Sequence, residues 1–505
     1  MVDDANDVER AIREIHPSLY DEARTGLLSA FLMFCLPDLR DMARQSKLEG
    51  DRERIQRILD LPCTLTDIFA VFEENRSVLT SEKLKDEERA QMYADSLSAS
   101  QLQDMLGDYG RQRFMDSVKI VVFSDHDQEN DIVYMVVVSP LRKRVGVVFR
   151  GSVTPKDFRQ DAKALLSGIR NPVAGDLLPD EIGVHLGFRE YLYKQENLMK
   201  VLHRPRMYKK VLSVVPKISG RTVEASTKPV DDESTPGSAR PGISKKVASK
   251  DLERPLKYQI IIEQVLDQIE DNPGFTLYIA GHSLGGALST LFSLEAAADE
   301  RIPGPVTCIT SGAPKVGNIE FLHVYEELER RGRLRCIQVA NDQDPVPKSP
   351  PNGSVNPCHA LLCQSRRYRH VGIHVTLRSS GHIITYPPQV QTYLGVFLCD
   401  CMLIGRFWLM ILFLAPVMAI CYGSCFVLAI PCTVFCLYKT MTTSRKHHTQ
   451  LKYLERLDAG REDLETLTLD ELNERRWKRP RWRVPILHRF HRESQRGCCN
   501  EPKKM

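Results

Sequence analysis

The stretch Gly281-His282-Ser283-Leu284-Gly285-Gly286 follows directly on the apolar run Thr276-Leu277-Tyr278-Ile279-Ala280, and no other junction constrains the fold as much. The apolar run reads as a strand. The flanking glycines leave room for a turn in which larger side chains would collide. The stretch behind it, Ala287-Leu288-Ser289-Thr290-Leu291-Phe292-Ser293-Leu294-Glu295-Ala296-Ala297-Ala298, is a good helix former, and its amino end faces Ser283. Strand, sharp turn and helix in that order lift a serine hydroxyl to the top of a sheet. Alone, the pentapeptide also describes an ordinary glycine-rich turn. The rest of the chain has to decide between the two.

At 505 residues there is ample chain for a large buried core. The charge is nearly balanced, 69 Lys and Arg against 65 Asp and Glu, so overall charge names no partner. The 14 cysteines show no metal-type C-x-x-C pairs and do not resemble a disulfide framework. The first residues, Met1-Val2-Asp3-Asp4-Ala5-Asn6-Asp7, are acidic and polar and show no secretory signal. The expectation is a catalytic part that faces a reducing compartment, the cytosol.

Residues 1–115 read as a helical N-terminal region, with charged and apolar residues alternating as in Arg54-Ile55-Gln56-Arg57-Ile58-Leu59. The apolar run Leu27 to Leu36 is too short to cross a bilayer and suits a core helix face. From about 118 the period changes. Val118–Phe123, Ile132–Val138 and Arg144–Phe149 read as strands, and helices and strands then alternate to about 390. The expected core is therefore an α/β sheet over 116–392. Residues 217–253, rich in Ser, Thr, Pro, Gly, Lys and Asp, read as a disordered insertion. Phe407 to Tyr438 carries no charge and is broken by Pro416, Gly423 and Pro431. As one straight helix it would span about 48 Å, against a hydrocarbon core of about 30 Å. With the apolar stretch upstream, 393–440 is long enough for a membrane hairpin or two crossings. Residues 441–460 then close the core. The tail 461–505 is basic, with Arg475, Arg476, Lys478, Arg479, Arg481 and Arg483 beside Trp477 and Trp482. Next to a membrane segment this favours an anionic lipid surface over nucleic acid.

An elbow serine needs a base, a carboxylate to orient the base, and donors for an oxyanion. Ser152, in Val147-Val148-Phe149-Arg150-Gly151-Ser152, follows a strand and offers its backbone N–H and its hydroxyl. The Leu284 N–H, just after Ser283, is the second donor. After the strand Leu334–Ala340 come Asp342 and Asp344, the latter stiffened by Pro345, Pro347, Pro350 and Pro351.

These motifs, in this order, resemble the class 3 lipase family, the fungal-lipase-like branch of the α/β-hydrolases. Val148–Ser152 with Asp157, Phe158 and Asp161 is similar to its oxyanion strand. Val184-His185-Leu186-Gly187-Phe188 is similar to its V-H-x-G-F element. Gly281–Leu288 matches its elbow, and Gly312-Ala313-Pro314-Lys315-Val316-Gly317-Asn318 its G-x-P-x-V-G-N motif. Asp344-Pro345-Val346-Pro347 resembles its acid loop, and Tyr368-Arg369-His370-Val371-Gly372 a non-catalytic stretch behind it. Diacylglycerol lipases are the membrane-bound relatives it looks like. The resemblance implies an α/β-hydrolase fold, a lid near 153–183 and serine hydrolysis of glycerolipid esters, with tri- or diacylglycerol as substrate. Phospholipase A1 or acyltransferase activity on the same fold, or a non-catalytic membrane scaffold, are the rival readings. No metal or organic cofactor is expected. For the base, His447-His448-Thr449-Gln450-Leu451-Lys452-Tyr453-Leu454 resembles the family's H-x-x-x-x-Y-L ending and points to His448, with His382 and His447 as competitors and His370 in the non-catalytic position. The expected set is Ser283, Asp344 and His448, with Ser152 and Leu284 at the oxyanion. It demands that 393–440 leave and return on one side.

Overall fold

The structure is a computed structural model. It describes residues 17–78, 112–128, 131–153, 155–161, 163, 165–175, 178–195, 255–350, 368–379, 381–386 and 447–478. The expected insertion 217–253, the membrane hairpin 393–440 and the tail beyond 478 lie outside the described residues.

Eleven strands are present among them: β1 Cys63–Thr64, β2 Lys119–Ser124, β3 Tyr134–Ser139, β4 Arg144–Phe149, β5 Leu166–Arg170, β6 Glu181–His185, β7 Thr276–His282, β8 Val306–Ser311, β9 Leu334–Asn341, β10 Ile373–Arg378 and β11 Gly381–Thr385. The helices are α1 Leu19–Arg44, α2 Arg52–Asp60, α3 Leu65–Glu74, α4 Pro155–Asp161, α5 Leu186–Leu192, α6 Lys257–Asp271, α7 Leu284–Ala298, α8 Ile319–Arg330, α9 Gln450–Ala459, α10 Arg461–Glu465 and α11 Leu469–Lys478. Nine strands form one sheet in the order β1-β2-β3-β4-β7-β8-β9-β10-β11. The run β4-β7-β8-β9-β10 is parallel, with Val147 opposite Ile279 and Ala280 opposite Ile309. β1 to β4 pair antiparallel on one side, and β11 pairs antiparallel with β10 on the other. β5 and β6 form a separate hairpin. This mixed sheet, with crossover helices between its parallel strands, is an α/β-hydrolase-type fold.

Strand periodicity divides the core between two faces. Leu277 and Ile279 of β7 join Val145 and Val147 of β4 beneath α7, whose Leu284, Leu288 and Leu291 are buried. Ala280 and Val148 point the other way, into a cluster with α1. Each fully buried aliphatic side chain contributes about 1.5–3 kcal/mol relative to exposure.

The amino-terminal helix α1 is part of this core. A capping box starts it, with the Asp21 N–H donating to Ser18 Oγ at 3.2 Å and the Ser18 N–H to Asp21 Oδ2 at 3.3 Å. It then crosses the sheet face opposite α7. Phe31 shares a cluster with Ile337 and Val339 of β9, and Leu36 packs with Val148 and Ala280. The apolar run Leu27–Leu36 is thus a core helix face.

The far end of the described chain corrects one expectation. Arg476, read from sequence as part of a basic tail suited to an anionic lipid surface, is 1% exposed. It donates to Glu329 at 2.7 Å and to Glu326 at 3.0 Å on α8. Two carboxylates on one face of α8 outweigh the cost of burying the guanidinium. Among the described residues no helix is long and apolar enough to cross a membrane.

Candidate active site

Parallel strands β4, β7, β8 and β9 end on one edge of the sheet, where the chain turns repeatedly into helices and loops. Ser283 sits in the turn from β7 into α7 with φ 59° and ψ −128°. A non-glycine residue with positive φ is strained. Here the tight turn forces it. The turn closes because Gly285 has no side chain: a Cβ there would stand 2.3 Å from the Phe149 carbonyl oxygen. Sequence placed a strand, elbow and helix here, and the structure has all three.

Ser283 Oγ lies 2.8 Å from His448 Nε2, and His448 Nδ1 lies 2.7 Å from Asp344 Oδ2. The chain therefore brings together three side chains from distant segments in one line. Geometry assigns the roles: Nδ1–H donates to the carboxylate, which leaves Nε2 free to accept from the Ser283 hydroxyl. Asp344 is fully buried, and its Oδ1 accepts from the Val346 N–H at 2.9 Å. The alternative carboxylate, Asp342, faces away and takes Arg456 Nη1 at 2.5 Å.

The other histidines fall elsewhere. His382 lies on β11, with Nδ1 3.9 Å from Asp463. The carbonyl of His447 accepts from Asn341 Nδ2 at 2.9 Å. His370 joins Gln338 of β9 to the Pro347 carbonyl, tying down the acid loop. Burial drives its pKa well below the usual histidine value, and the neighbouring His374 and Lys315 add to that, so it stays neutral.

Two neighbours escaped the sequence reading. Tyr453 is fully buried; its hydroxyl donates to Asp344 Oδ2 at 2.6 Å and accepts from the Asn341 N–H at 3.1 Å. His282, preceding the nucleophile, holds the base from behind. Its Nε2–H donates to the His448 carbonyl at 3.0 Å, and its Nδ1 meets Ser311 Oγ at 3.1 Å. Burial first, then the charge of His448, keeps its pKa far below the ordinary value. The Y of the H-x-x-x-x-Y-L ending and the H of the elbow were both visible, but neither spacing says what a ring will touch. Tyr453→Phe should lower kcat about tenfold, since it removes one hydrogen bond to a charged group and orphans a buried amide. Steady-state rates beside the thermal midpoint would separate this from a loss of folding.

The oxyanion side differs in one detail from expectation. The Leu284 N–H opens α7 and has no intrahelical partner, as any first-turn donor lacks one. The Ser152 hydroxyl, however, is committed: it donates to Asp161 Oδ2 at 2.6 Å. Of the two groups that the sequence offered at Ser152, only the backbone N–H is left outside this contact. Burial pushes the Asp161 carboxyl up to about 6, opposed by the Ser152 hydrogen bond. Asp157 fixes the same turn, accepting from the Val153 N–H at 3.0 Å and from the Tyr191 hydroxyl at 2.6 Å. His185 of the V-H-x-G-F element stacks on Phe188 at 3.9 Å, away from the serine line. Asn318 of the G-x-P-x-V-G-N element caps α8 by accepting from the Phe321 N–H at 3.0 Å. Both elements support the site rather than enter it. Among the described residues no group of three or more His, Cys, Asp or Glu side chains gathers as metal ligands would.

A sheet of this order with an elbow serine at its carboxyl edge has the α/β-hydrolase-like fold. Residues 146–354 match the family described as Lipase (class 3). Phospholipase A1-Igamma2, chloroplastic, of Arabidopsis thaliana is 35% identical over 104 residues, 17% of this chain and 19% of that protein. Phospholipase A1-II 3 of Oryza sativa subsp. japonica is 32% identical over 133 residues, 24% of this chain and 31% of that protein. The match thus spans less than a third of either relative. Among solved structures, a fungal lipase–inhibitor complex aligns with a TM-score of 0.31 at 19% identity, covering 52% of this chain and 67% of the other.

Proposed function

We propose that this chain is a serine hydrolase of glycerolipid esters. The observation that carries the reading is the continuous line from Asp344 through His448 to Ser283, with spacings of 2.7 and 2.8 Å. Ser283 Oγ attacks the ester carbonyl while His448 Nε2 takes its proton. The carbonyl oxygen becomes an oxyanion that accepts from the Ser152 and Leu284 N–H groups. His448 then protonates the departing alcohol, leaving an acyl-serine. Water enters, gives its proton to His448 and attacks the acyl carbon, and Ser283 leaves with that proton. Asp344 holds the imidazole in one tautomer and stabilises its charged form.

The preferred substrates are tri- and diacylglycerol. The relatives named as phospholipases A1 make an sn-1 phospholipid ester the second reading. A panel of tri-, di- and monoacylglycerol and phosphatidylcholine, each run with the full chain in mixed micelles, separates them. Hydrolysis of none of the four, together with no labelling by a fluorophosphonate, would leave a non-catalytic scaffold.

The membrane reading belongs to the same proposal. Residues 393–440 anchor the enzyme as a hairpin or a pair of crossings, and the basic residues beyond 478 add attraction to anionic lipid. Tyr386 and Leu451, which flank the intervening chain, pack into one apolar cluster on the same domain. This supports exit and return on one side. Cys63, Cys308 and Cys336 are buried thiols outside any disulfide, in keeping with a cytosolic catalytic domain.

A further inference from the structure

We propose that Phe34 of α1 is a specificity-determining residue whose ring walls the acyl site beside Ser283. The proposal rests on the hydrolase reading above and extends it to a segment outside the lipase domain match. Helix α1 begins under the amino ends of the strands, where Glu22 accepts from the Tyr278 hydroxyl at 3.1 Å. It rises diagonally, and four turns on Phe34 reaches the oxyanion turn. A Cβ placed on Gly151 would stand 2.8 Å from the His282 carbonyl oxygen, 2.9 Å from Phe34 Cζ and 3.4 Å from Ser283 Cβ. The tip of the phenyl ring is therefore no farther from Ser283 Cβ than the last two spacings laid end to end. Gly151 has to be glycine because that ring and the elbow fill the space its side chain would need.

Phe34 packs against the cluster beneath α1 yet keeps more solvent access than its immediate neighbours. Phe31, Met33, Cys35 and Leu36 are buried, whereas Phe34 is only partly so. Covering the part of that ring still open to water with an apolar ligand is favourable.

Strand order says which part of the substrate that is. Ser283 follows β7, with β8 on one side and β4 on the other. His448 stands over the end of β8, where its Cε1 would lie 3.1 Å from a Cβ on Gly312. The leaving alcohol must face His448 to receive its proton. The acyl chain is then directed to the opposite side of Ser283, over the end of β4, where Gly151 and Phe34 meet. The first methylenes of a fatty acyl group match this wall in chemistry and in reach.

The test is the ratio of kcat/KM for an octanoyl ester to that for an acetyl ester of the same alcohol, measured with the full chain. Phe34→Ala should lower that ratio about tenfold, on the scale a pocket gains from one or two methylenes. Phe34→Leu should restore most of it. Leu36→Ala, in the buried face of the same helix, should reduce thermal stability and leave the ratio unchanged. If Phe34→Ala changes both esters by the same factor, or if Leu36→Ala shifts the ratio equally, the residue is only structural and the proposal is overturned. Should Phe34→Ala fail to fold, Phe34→Trp carries the test: an unaltered ratio in it overturns the proposal. An inactive wild type overturns the hydrolase reading as well, whereas an active wild type with an indifferent Phe34 overturns this inference alone.

Discussion

Ser283→Ala is expected to lower the turnover of any ester this protein hydrolyses by on the order of 10⁶ while leaving the fold intact. The serine is the only atom source in the site for the new acyl bond. On the proposed mechanism the Ser152 and Leu284 amides would still polarise a carbonyl without it, so a residue of activity over bulk water is expected. Alanine keeps a Cβ at the strained backbone position, so the elbow is strained no more than before. Initial rates on a short-chain ester, with a melting curve for each protein, are the measurement. A variant that retains more than about one part in a thousand of the wild-type rate would place the nucleophile elsewhere.

Asp344→Asn should cost on the order of 10⁴ in kcat with little change in KM. The reason is a proton, not a shape. Asp344 receives three donors: His448 Nδ1–H, the Tyr453 hydroxyl and the Val346 N–H. An asparagine has one oxygen for them, and its amide presents N–H where an acceptor is needed. Imidazole adapts by moving its proton to Nε2, and the ring then points a donor at Ser283. Asp342→Asn is the matched control. That carboxylate pairs with Arg456 away from the serine line, so a change of less than about threefold is expected, the scale of a partly exposed ion pair. If the two variants lose activity equally, the acid has been misassigned.

How much of this was written in the chain varies by element. The elbow was legible because its demands are local: a strand, two glycines and a helix within a dozen residues admit one turn. The strands up to Phe149 were legible for the same reason, since alternation of apolar residues reports burial directly. The base was harder. Eight histidines follow the acid loop, and periodicity ranks none of them; only the resemblance of the stretch at His448 to a known ending selected it. Tyr453 and His282 could not be assigned, because their partners are a carboxylate and a carbonyl more than a hundred residues away. Arg476 misled for a related reason. A cluster of basic residues looks suited to an anionic lipid surface until Glu326 and Glu329 are known to lie opposite one of them. The run Leu27–Leu36 was read as a core helix face, but nothing in its sequence says that Phe34 meets the turn at Gly151.

The proton acceptor is the last part of the set to be synthesised. A ribosome that has delivered Ser283 and Asp344 has a further hundred residues to translate before His448 emerges, and the helix bearing Tyr453 follows it. Until then the nascent chain carries a serine with no base and a carboxylate with nothing to orient. Assembly of the site is thereby timed by the order of its own letters, and a chain cut short before that point has no complete serine–histidine–aspartate line.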